Sequence, residues 1–188
     1  MTPMRRYNDD IARQLVQFDR SQKIVAEAFD ALYKRLVHDD SNQNRLVSSL
    51  KKWVGANSTL RGIYLWGGVG RGKTYLMDLF YECLPFPDKQ RIHFHRFMLS
   101  IHEELEFLQG TRNPLDRIAA GIADKTKVLC IDEFFVLDIG DAMLLSGLLE
   151  SLLTRGVVFV ATSNTHPDSL YKDGLQRDSF LPAIKLIK

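Results

Sequence analysis

The spacing of apolar residues changes along the chain, and each spacing predicts a type of element. Apolar residues recur at helical spacing over residues 22–37 and again over 43–54. Short apolar runs follow at 62–66, 127–131 and 157–161, bounded by turn residues, which is typical of buried strands. The pattern therefore predicts N-terminal helices followed by a region that contains a buried sheet.

Helical patterns separate these strands, and a fourth strand is predicted by alternation of polar and apolar residues over Arg91–Phe97. The further helices are predicted over residues 75–81, 98–109, from Asn113-Pro114 onward, 138–154 and 180–188. Because strands and helices alternate and two strands are apolar throughout, we expect an α/β fold with a mostly parallel sheet covered by helices on both faces. The predicted division is a helical segment, residues 1–58, and an α/β domain, residues 59–188.

Residues 67–74 fit the pattern G-x-x-x-x-G-K-[ST], the phosphate-binding loop (P-loop) of nucleotide triphosphatases. A predicted strand precedes the loop and a predicted helix follows it, which disfavours an ordinary glycine-rich turn. Lys73 would supply charge to the β- and γ-phosphates, and the Thr74 hydroxyl would bind Mg²⁺. The predicted nucleotide-binding residues are Gly67, Gly68, Val69, Gly70, Arg71, Gly72, Lys73, Thr74 and Tyr75.

Polar residues follow two of the predicted strands. Asp132 and Glu133 end the apolar run at 127–131, where side chains of a parallel strand face the ligand crevice. Asp132 is the predicted Mg²⁺ partner and Glu133 the predicted base that polarises the attacking water; a solvated acidic turn is the alternative. Asn164 follows the strand at 157–161, where its amide would orient that water or touch the γ-phosphate. On spacing alone, a turn or helix cap is the stronger interpretation of Asn164.

Two other groups of residues have weaker signals. Arg177 lies in a polar loop, where an arginine is usually a solvated charge; an arginine finger that reaches a neighbouring subunit is the sharper interpretation. His93 and His95 are expected on one face of the same strand, with His102 nearby in sequence. Because no cysteine or carboxylate has ligand spacing around them, polar sheet-face histidines are preferred to a metal site.

Composition narrows the function classes only slightly. The chain has 188 residues, with 25 basic and 23 acidic residues and a net charge of +2, so charge gives no support to nucleic-acid binding. Its two cysteines, Cys83 and Cys130, are too few for a disulfide framework, which fits a reducing cytosol. The first residues lack the pattern of a secretory signal or a mitochondrial transit peptide.

Taken together, the motifs resemble those of a known family. They are GGVGRGKTYLMDLF, HFHRFM, NPLDRIA, VLCIDEF, DIGDAMLLSGLLESLL, VATSN and GLQRDSFLPAI, in this order. The chain resembles the ZapE cell-division ATPases of bacteria, relatives of the mitochondrial Lace-type ATPases. The resemblance covers residues 55–187 densely and the N-terminal segment loosely.

This resemblance implies an AAA+ P-loop ATPase that uses ATP and Mg²⁺. It makes residues 67–74 the Walker A loop, Asp132 and Glu133 the Walker B pair, Asn164 sensor 1 and Arg177 the arginine finger. Because the finger acts in trans, the resemblance implies self-association. It also implies a cytoplasmic protein at the bacterial division site, acting on polymers of the tubulin-like protein FtsZ.

The chain departs from the family at its C-terminal end. In the family a fifth strand and a helical lid follow the position of Lys188, so we expect a truncated product or a fragment. In the implied strand order 5-1-4-3-2, the P-loop strand is then left at an unpaired edge. Nucleotide binding is therefore expected more firmly than turnover.

Three functions compete at this stage. The first is an ATP-driven remodelling enzyme of the ZapE type. The second is a nucleic-acid-linked AAA+ loader, which the near-neutral charge does not favour. The third is a non-hydrolysing interaction module, which the intact motifs disfavour and the missing lid favours. A small-molecule kinase is less favoured, because the adjacent Asp132-Glu133 pair suits water activation and no substrate lid is seen.

Overall fold

The computed structural model describes residues 1–43 and 62–188. Within these residues it has seven α-helices and four β-strands. In chain order they are α1 (Pro3–Ala12), α2 (Arg20–Gln43), β1 (Ile63–Trp66), α3 (Lys73–Cys83), β2 (Lys89–His93), α4 (Phe94–Phe107), α5 (Pro114–Ala123), β3 (Val128–Asp132), α6 (Ile139–Thr154), β4 (Val158–Ser163) and α7 (Leu181–Ile187). Short 3₁₀ turns occur at Pro167–Ser169 and Arg177–Ser179. The predicted helix at 43–54 and the predicted division at 58–59 fall in or run into residues 44–61, outside the described residues.

All four strands are parallel, in the order β1-β4-β3-β2. Every residue of β3 and β4 is buried, so both faces of the sheet are covered at its centre. The prediction of a parallel α/β fold is therefore confirmed. In the sheet that the described residues form, β1 lies at one edge, as the strand order implied by the resemblance predicts.

One predicted strand was too long. The strand β2 ends at His93, and Phe94 begins α4, so the prediction of a strand over Arg91–Phe97 is wrong for its second half. Four buried residues of α4, Phe94, Phe97, Met98 and Ile101, recur at helical spacing on one face. The alternation that predicted a strand was the beginning of this helical stripe. Consequently His93 and His95 do not share a strand face.

The described residues group into two compact units that are not continuous in sequence: residues 1–43 with Tyr75–Phe86, and residues 62–74 with Pro87–Lys188. In the first unit, α1 was missed by the sequence analysis. Its signal was short: Thr2 caps the helix by accepting a hydrogen bond from the Arg5 amide, and Pro3 occupies the first turn. The chain between α1 and α2 is fixed by Tyr7, whose buried ring extends its hydroxyl to the Asp19 carbonyl.

The first unit has an aromatic pair at its centre, which leads to a prediction. Phe29 of α2 and Phe80 of α3 are fully buried and stacked, with ring centroids 4.7 Å apart. Replacing Phe29 with alanine is expected to lower the free energy of unfolding by about 3–5 kcal/mol, because the cavity adds to the lost burial. Urea denaturation measures this, and Phe18→Ala is the control, since Phe18 is 64% exposed and its loss should cost less than about 0.5 kcal/mol. Equal effects of the two variants would contradict the assigned packing.

The second unit contains the whole sheet and a core built around Phe134, just after β3. Its ring lies edge-on to Phe94, Tyr64 and Phe159, at centroid distances of 4.8, 6.0 and 5.9 Å. These three rings belong to β1, α4 and β4. Phe134, the residue after the Asp132-Glu133 pair, therefore packs the end of β3 against all three elements. Among the helices within residues 1–43 and 62–188, none has the length and apolar character needed to cross a membrane.

Candidate nucleotide site

The P-loop connects the carboxyl end of β1 to the first turn of α3. Gly70 and Gly72 have φ values of 78° and 80°, which side chains with a Cβ rarely adopt, so the loop needs glycine at these positions. The Gly67 amide donates to the Ser163 carbonyl at 3.2 Å, which anchors the start of the loop to β4. The loop therefore has the strand–loop–helix context that its motif predicts.

Lys73 occupies the centre of the polar contacts in this loop. Its Nζ donates to the Gly67 and Gly68 carbonyls and to Asn164 Oδ1, each at 2.8 Å. Partial burial lowers the pKa of this ammonium. All three of these acceptors are neutral oxygens, so none of these bonds neutralises the charge of Lys73. A phosphate that replaced them would supply the missing negative charge.

The contact with Asn164 brings together two candidates that are 91 residues apart in sequence. Asn164 comes directly after β4, and β4 pairs with β1 with Trp66 opposite Ser163. Because parallel strands end at the same edge, this register brings Asn164 to the P-loop. The amide oxygen accepts from Lys73, so Asn164 contacts the P-loop in addition to its place in the bend that follows β4.

Asp132 is the last residue of β3 and is 5% exposed. Arg91 Nε donates to its Oδ2 at 2.6 Å, and the Thr162 hydroxyl lies 3.4 Å from its Oδ1. The same hydroxyl accepts a hydrogen bond from the Glu133 amide at 3.1 Å. One threonine of β4 thus links both members of the predicted acidic pair.

Glu133 leaves the strand in a left-handed conformation, with φ of 55°. This conformation is uncommon for a residue other than glycine and costs energy, so its occurrence beside a ligand crevice favours a functional role. The side chain is 81% exposed, and its Oε2 lies 3.9 Å from His93 Nδ1. Glu133 is therefore open to solvent and to a ligand, whereas its neighbour Asp132 is enclosed.

Arg177 lies in the second 3₁₀ turn and folds back on its own chain. Its Nη2 donates to the Asp168 carbonyl at 2.7 Å, and its buried Nε has no hydrogen-bond partner among the described residues. Lys188 binds the Asp168 carboxylate and, with His166 and Arg177, keeps the pKa of Asp168 below its ordinary value. Arg177 is thus held at a fixed place by the 3₁₀ turn at Pro167–Ser169, which lies shortly after Asn164 in the chain.

The other predicted residues differ in their surroundings. Val69 and Arg71 are exposed in the loop, and Thr74 is exposed in the first turn of α3. The Tyr75 hydroxyl donates to Asp10 Oδ2 at 2.7 Å, and burial together with this carboxylate raises the pKa of the Tyr75 phenol. Its side chain is therefore engaged within the first unit, which leaves its backbone amide as the group that would serve a nucleotide.

The oxygen donors present fit a magnesium ion. Thr74 supplies a hydroxyl and Asp132 a carboxylate, the hard ligands that Mg²⁺ prefers. Within the described part of the chain, no three His, Cys, Asp or Glu side chains are grouped as a metal cage. Mg²⁺ in nucleotide sites is usually held by one or two protein groups together with the phosphates.

Two residues at this site were missed by the sequence analysis, Arg91 and Thr162. Both lie on strands that flank β3, and both contact Asp132. Their signal was present only in the strand order implied by the resemblance, which makes β2 and β4 the neighbours of β3.

Comparison with protein families agrees with this geometry. A model described as AFG1-like ATPase matches residues 1–188. The chain belongs to the AFG1-like ATPase family. Membership confirms the resemblance inferred from the motifs, since the bacterial ZapE protein is among the relatives.

Curated relatives are longer than this chain. The chain is 49% identical over 197 aligned residues to "Cell division protein ZapE" of Escherichia coli K12, a match that covers all of this chain and 52% of that protein. It is 40% identical to an uncharacterised protein of Schizosaccharomyces pombe, of which it covers 48%. The "Lactation elevated protein 1 homolog B" of Danio rerio is 45% identical over 68% of this chain, which is 28% of that protein. The chain thus spans about half the length of the first two relatives.

Solved structures support the fold alone. The crystal structure of DnaI matches with a TM-score of 0.57 at 15% identity, covering 93% of this chain and 82% of that one. A putative primosome component of Streptococcus pyogenes serotype M3 matches with a TM-score of 0.53 at 16% identity, covering 90% and 79%. Their similarity agrees with the AAA+ type of α/β fold expected from the motifs.

Proposed function

We propose that this chain is the nucleotide-binding part of an ATP-hydrolysing AAA+ protein of the ZapE type. The observation that carries the proposal is the hydrogen bond between Lys73 and Asn164, in a chain of the AFG1-like ATPase family. It joins the P-loop lysine to the end of the neighbouring strand, which is where a γ-phosphate has to be sensed. The bond supports nucleotide binding, and the titration described below separates hydrolysis from a non-hydrolysing module.

In this proposal the P-loop amides and Lys73 bind the β- and γ-phosphates. Glu133, exposed beside the crevice, accepts a proton from the attacking water as the water oxygen bonds to the γ-phosphorus, and the bond from that phosphorus to the β–γ bridging oxygen breaks to release ADP and phosphate. Asn164 exchanges its bond with Lys73 for one with the γ-phosphate or the water. The left-handed turn at Glu133, together with the Thr162 hydroxyl, fixes the direction from which the carboxylate reaches the water.

Thr74 and Asp132 would hold Mg²⁺, which would neutralise charge on the phosphates during transfer. Arg177 would act as the arginine finger of a neighbouring subunit, so that hydrolysis requires self-association. A guanidinium held through a backbone carbonyl keeps its full charge, which is what a phosphate site requires.

The proposed biological substrate comes from the family resemblance rather than from the geometry. The E. coli relative is named a cell-division protein. From the resemblance, we propose that the energy of hydrolysis remodels FtsZ polymers at the division site, in the bacterial cytoplasm. Sedimentation of FtsZ polymers with this protein and ATP tests this step separately. No change in the sedimented fraction would remove the proposed partner and leave the nucleotide chemistry standing.

The first experiment is a titration of the purified chain with Mg²⁺-ATP, with binding and hydrolysis measured together. Lys73→Ala is expected to weaken binding by about ten- to hundredfold, because it removes charge-assisted hydrogen bonds to phosphate worth about 1.5–3 kcal/mol. Lys125→Ala is the control, since Lys125 is an exposed lysine just beyond α5. Equal affinity of wild type and Lys73→Ala would contradict the site.

The same titration separates two of the competing functions. Binding with turnover, both lost in Lys73→Ala, would support an enzyme. Binding without turnover by this chain alone would identify it as a nucleotide-binding part, and the same result with a chain extended to the length of its relatives would support the interaction module.

A further inference from the structure

Arg91 lies outside the motifs described above, yet it contacts Asp132, one of the predicted site residues. It lies in β2, and its side chain is 22% exposed. Its Nε donates to Asp132 Oδ2 at 2.6 Å, and the Asp132 side chain is only 7% exposed. A guanidinium that bonds a nearly buried carboxylate at this distance forms a strong, charge-assisted hydrogen bond.

The two oxygens of Asp132 face different neighbours. Oδ2 is bound by Arg91 of β2, and Oδ1 lies 3.4 Å from the hydroxyl of Thr162 on β4. In the sheet order β1-β4-β3-β2, Oδ1 is therefore on the side of β4 and β1. That is also the side on which the P-loop and Asn164 lie. Among residues 1–43 and 62–188, the long contact with the Thr162 hydroxyl is the one hydrogen bond to Oδ1, which keeps lone pairs for a further partner.

We propose that Arg91 is a positioning residue that holds the Asp132 carboxylate with Oδ1 turned toward the bound Mg²⁺-nucleotide. This inference rests on the proposed function, because it concerns the same site. A carboxylate has two equivalent oxygens and turns freely when neither is held. Arg91 fixes one of them from the side away from the nucleotide, and it offsets the cost of burying the charge. Its role in this proposal is exerted through Asp132.

The alternative for such a pair is competition, in which the guanidinium occupies the carboxylate and must be displaced by the metal. The geometry favours positioning, because Arg91 and the P-loop lie on opposite sides of β3. The two roles predict opposite signs. Removing a positioning residue weakens the effect of Mg²⁺ on nucleotide binding, whereas removing a competitor strengthens it.

The test measures the dissociation constant of ADP in EDTA and in Mg²⁺. The ratio of the first to the second gives the factor by which Mg²⁺ strengthens nucleotide binding. Arg91→Met, which removes both charge and donor, is expected to reduce this ratio by about ten- to hundredfold, as is usual when a group supporting a metal ligand is lost. Arg91→Lys, which keeps the charge and one donor, should restore part of it. Arg96→Met is the matched control, since Arg96 is an exposed arginine of α4 and should leave the ratio unchanged. Affinity in EDTA should be the same for the wild type and all three variants.

Asp132→Asn, measured in parallel, separates failure of this inference from failure of the proposed function. If Asp132→Asn lowers the ratio and Arg91→Met does not, or raises it, Arg91 is not a positioning residue and the nucleotide site stands. If neither Asp132→Asn nor Lys73→Ala changes binding, the proposed site itself fails.

Folding of Arg91→Met is the remaining variable, because it leaves a buried charge unpaired. If it does not fold, Arg91→Met with Asp132→Asn should recover the fold, and Arg91→Lys then provides the ratio. The inference would be overturned if the double variant also stayed unfolded and Arg91→Lys had the same ratio as the wild type.

Discussion

Replacing Glu133 with glutamine is expected to lower the rate of ATP hydrolysis by about 10²–10⁴-fold while ATP affinity stays within a fewfold of wild type. Glutamine keeps the length of the side chain but accepts no proton from the attacking water. Since Glu133 is 81% exposed and its backbone amide makes the contact with Thr162, the substitution leaves the fold unchanged. Single-turnover measurements with the protein in excess over ATP detect the loss, and ATP-bound oligomers should accumulate.

The control for this variant is Glu103→Gln, on the exposed surface of α4. Both variants remove one negative charge, so an effect of net charge alone would appear in both. An unchanged rate in Glu133→Gln would remove Glu133 from the chemistry. A loss of ATP affinity equal to the loss of rate would instead assign it to binding.

The sequence predicted those parts of the fold whose structure is decided by residues close together in the chain. β3 and β4 were found because their residues 128–131 and 158–161 are buried and form uninterrupted apolar runs. The P-loop was found because phosphate binding requires its glycines and lysine at a fixed spacing. In these segments, local pattern and final environment agree.

The parts that were missed depend on neighbours distant in sequence. The boundary between β2 and α4 falls where an alternating pattern becomes a helical one, and only packing of Phe94 on Phe134 decides it. Arg91 resembled an ordinary polar strand residue until β2 was placed beside β3, 41 residues later. Site residues that act through another residue leave no motif, because their spacing is set by strand order.

Arg177 is expected to be the second large effect. Replacing it with alanine should lower hydrolysis by about 10³–10⁵-fold, the range found when an arginine finger is removed. ATP binding should change little, since a finger acts on the neighbouring subunit's transition state. The side chain bonds the Asp168 carbonyl, and its loss removes no buried carboxylate partner, so the variant should fold.

The decisive measurement mixes two inactive variants. In a mixture of Arg177→Ala and Glu133→Gln chains, a site formed by the Glu133 of the first and the Arg177 of the second has both groups. If the finger acts in trans, the mixture should hydrolyse ATP at up to about a quarter of the wild-type rate, since random pairing of equal amounts places both intact groups at one site in four. If Arg177 serves its own subunit, or only supports the turn at Asp168, every site in the mixture lacks one group and activity stays at the level of the single variants. Restored turnover would show in one experiment that the active unit is an oligomer and that its sites are shared between chains.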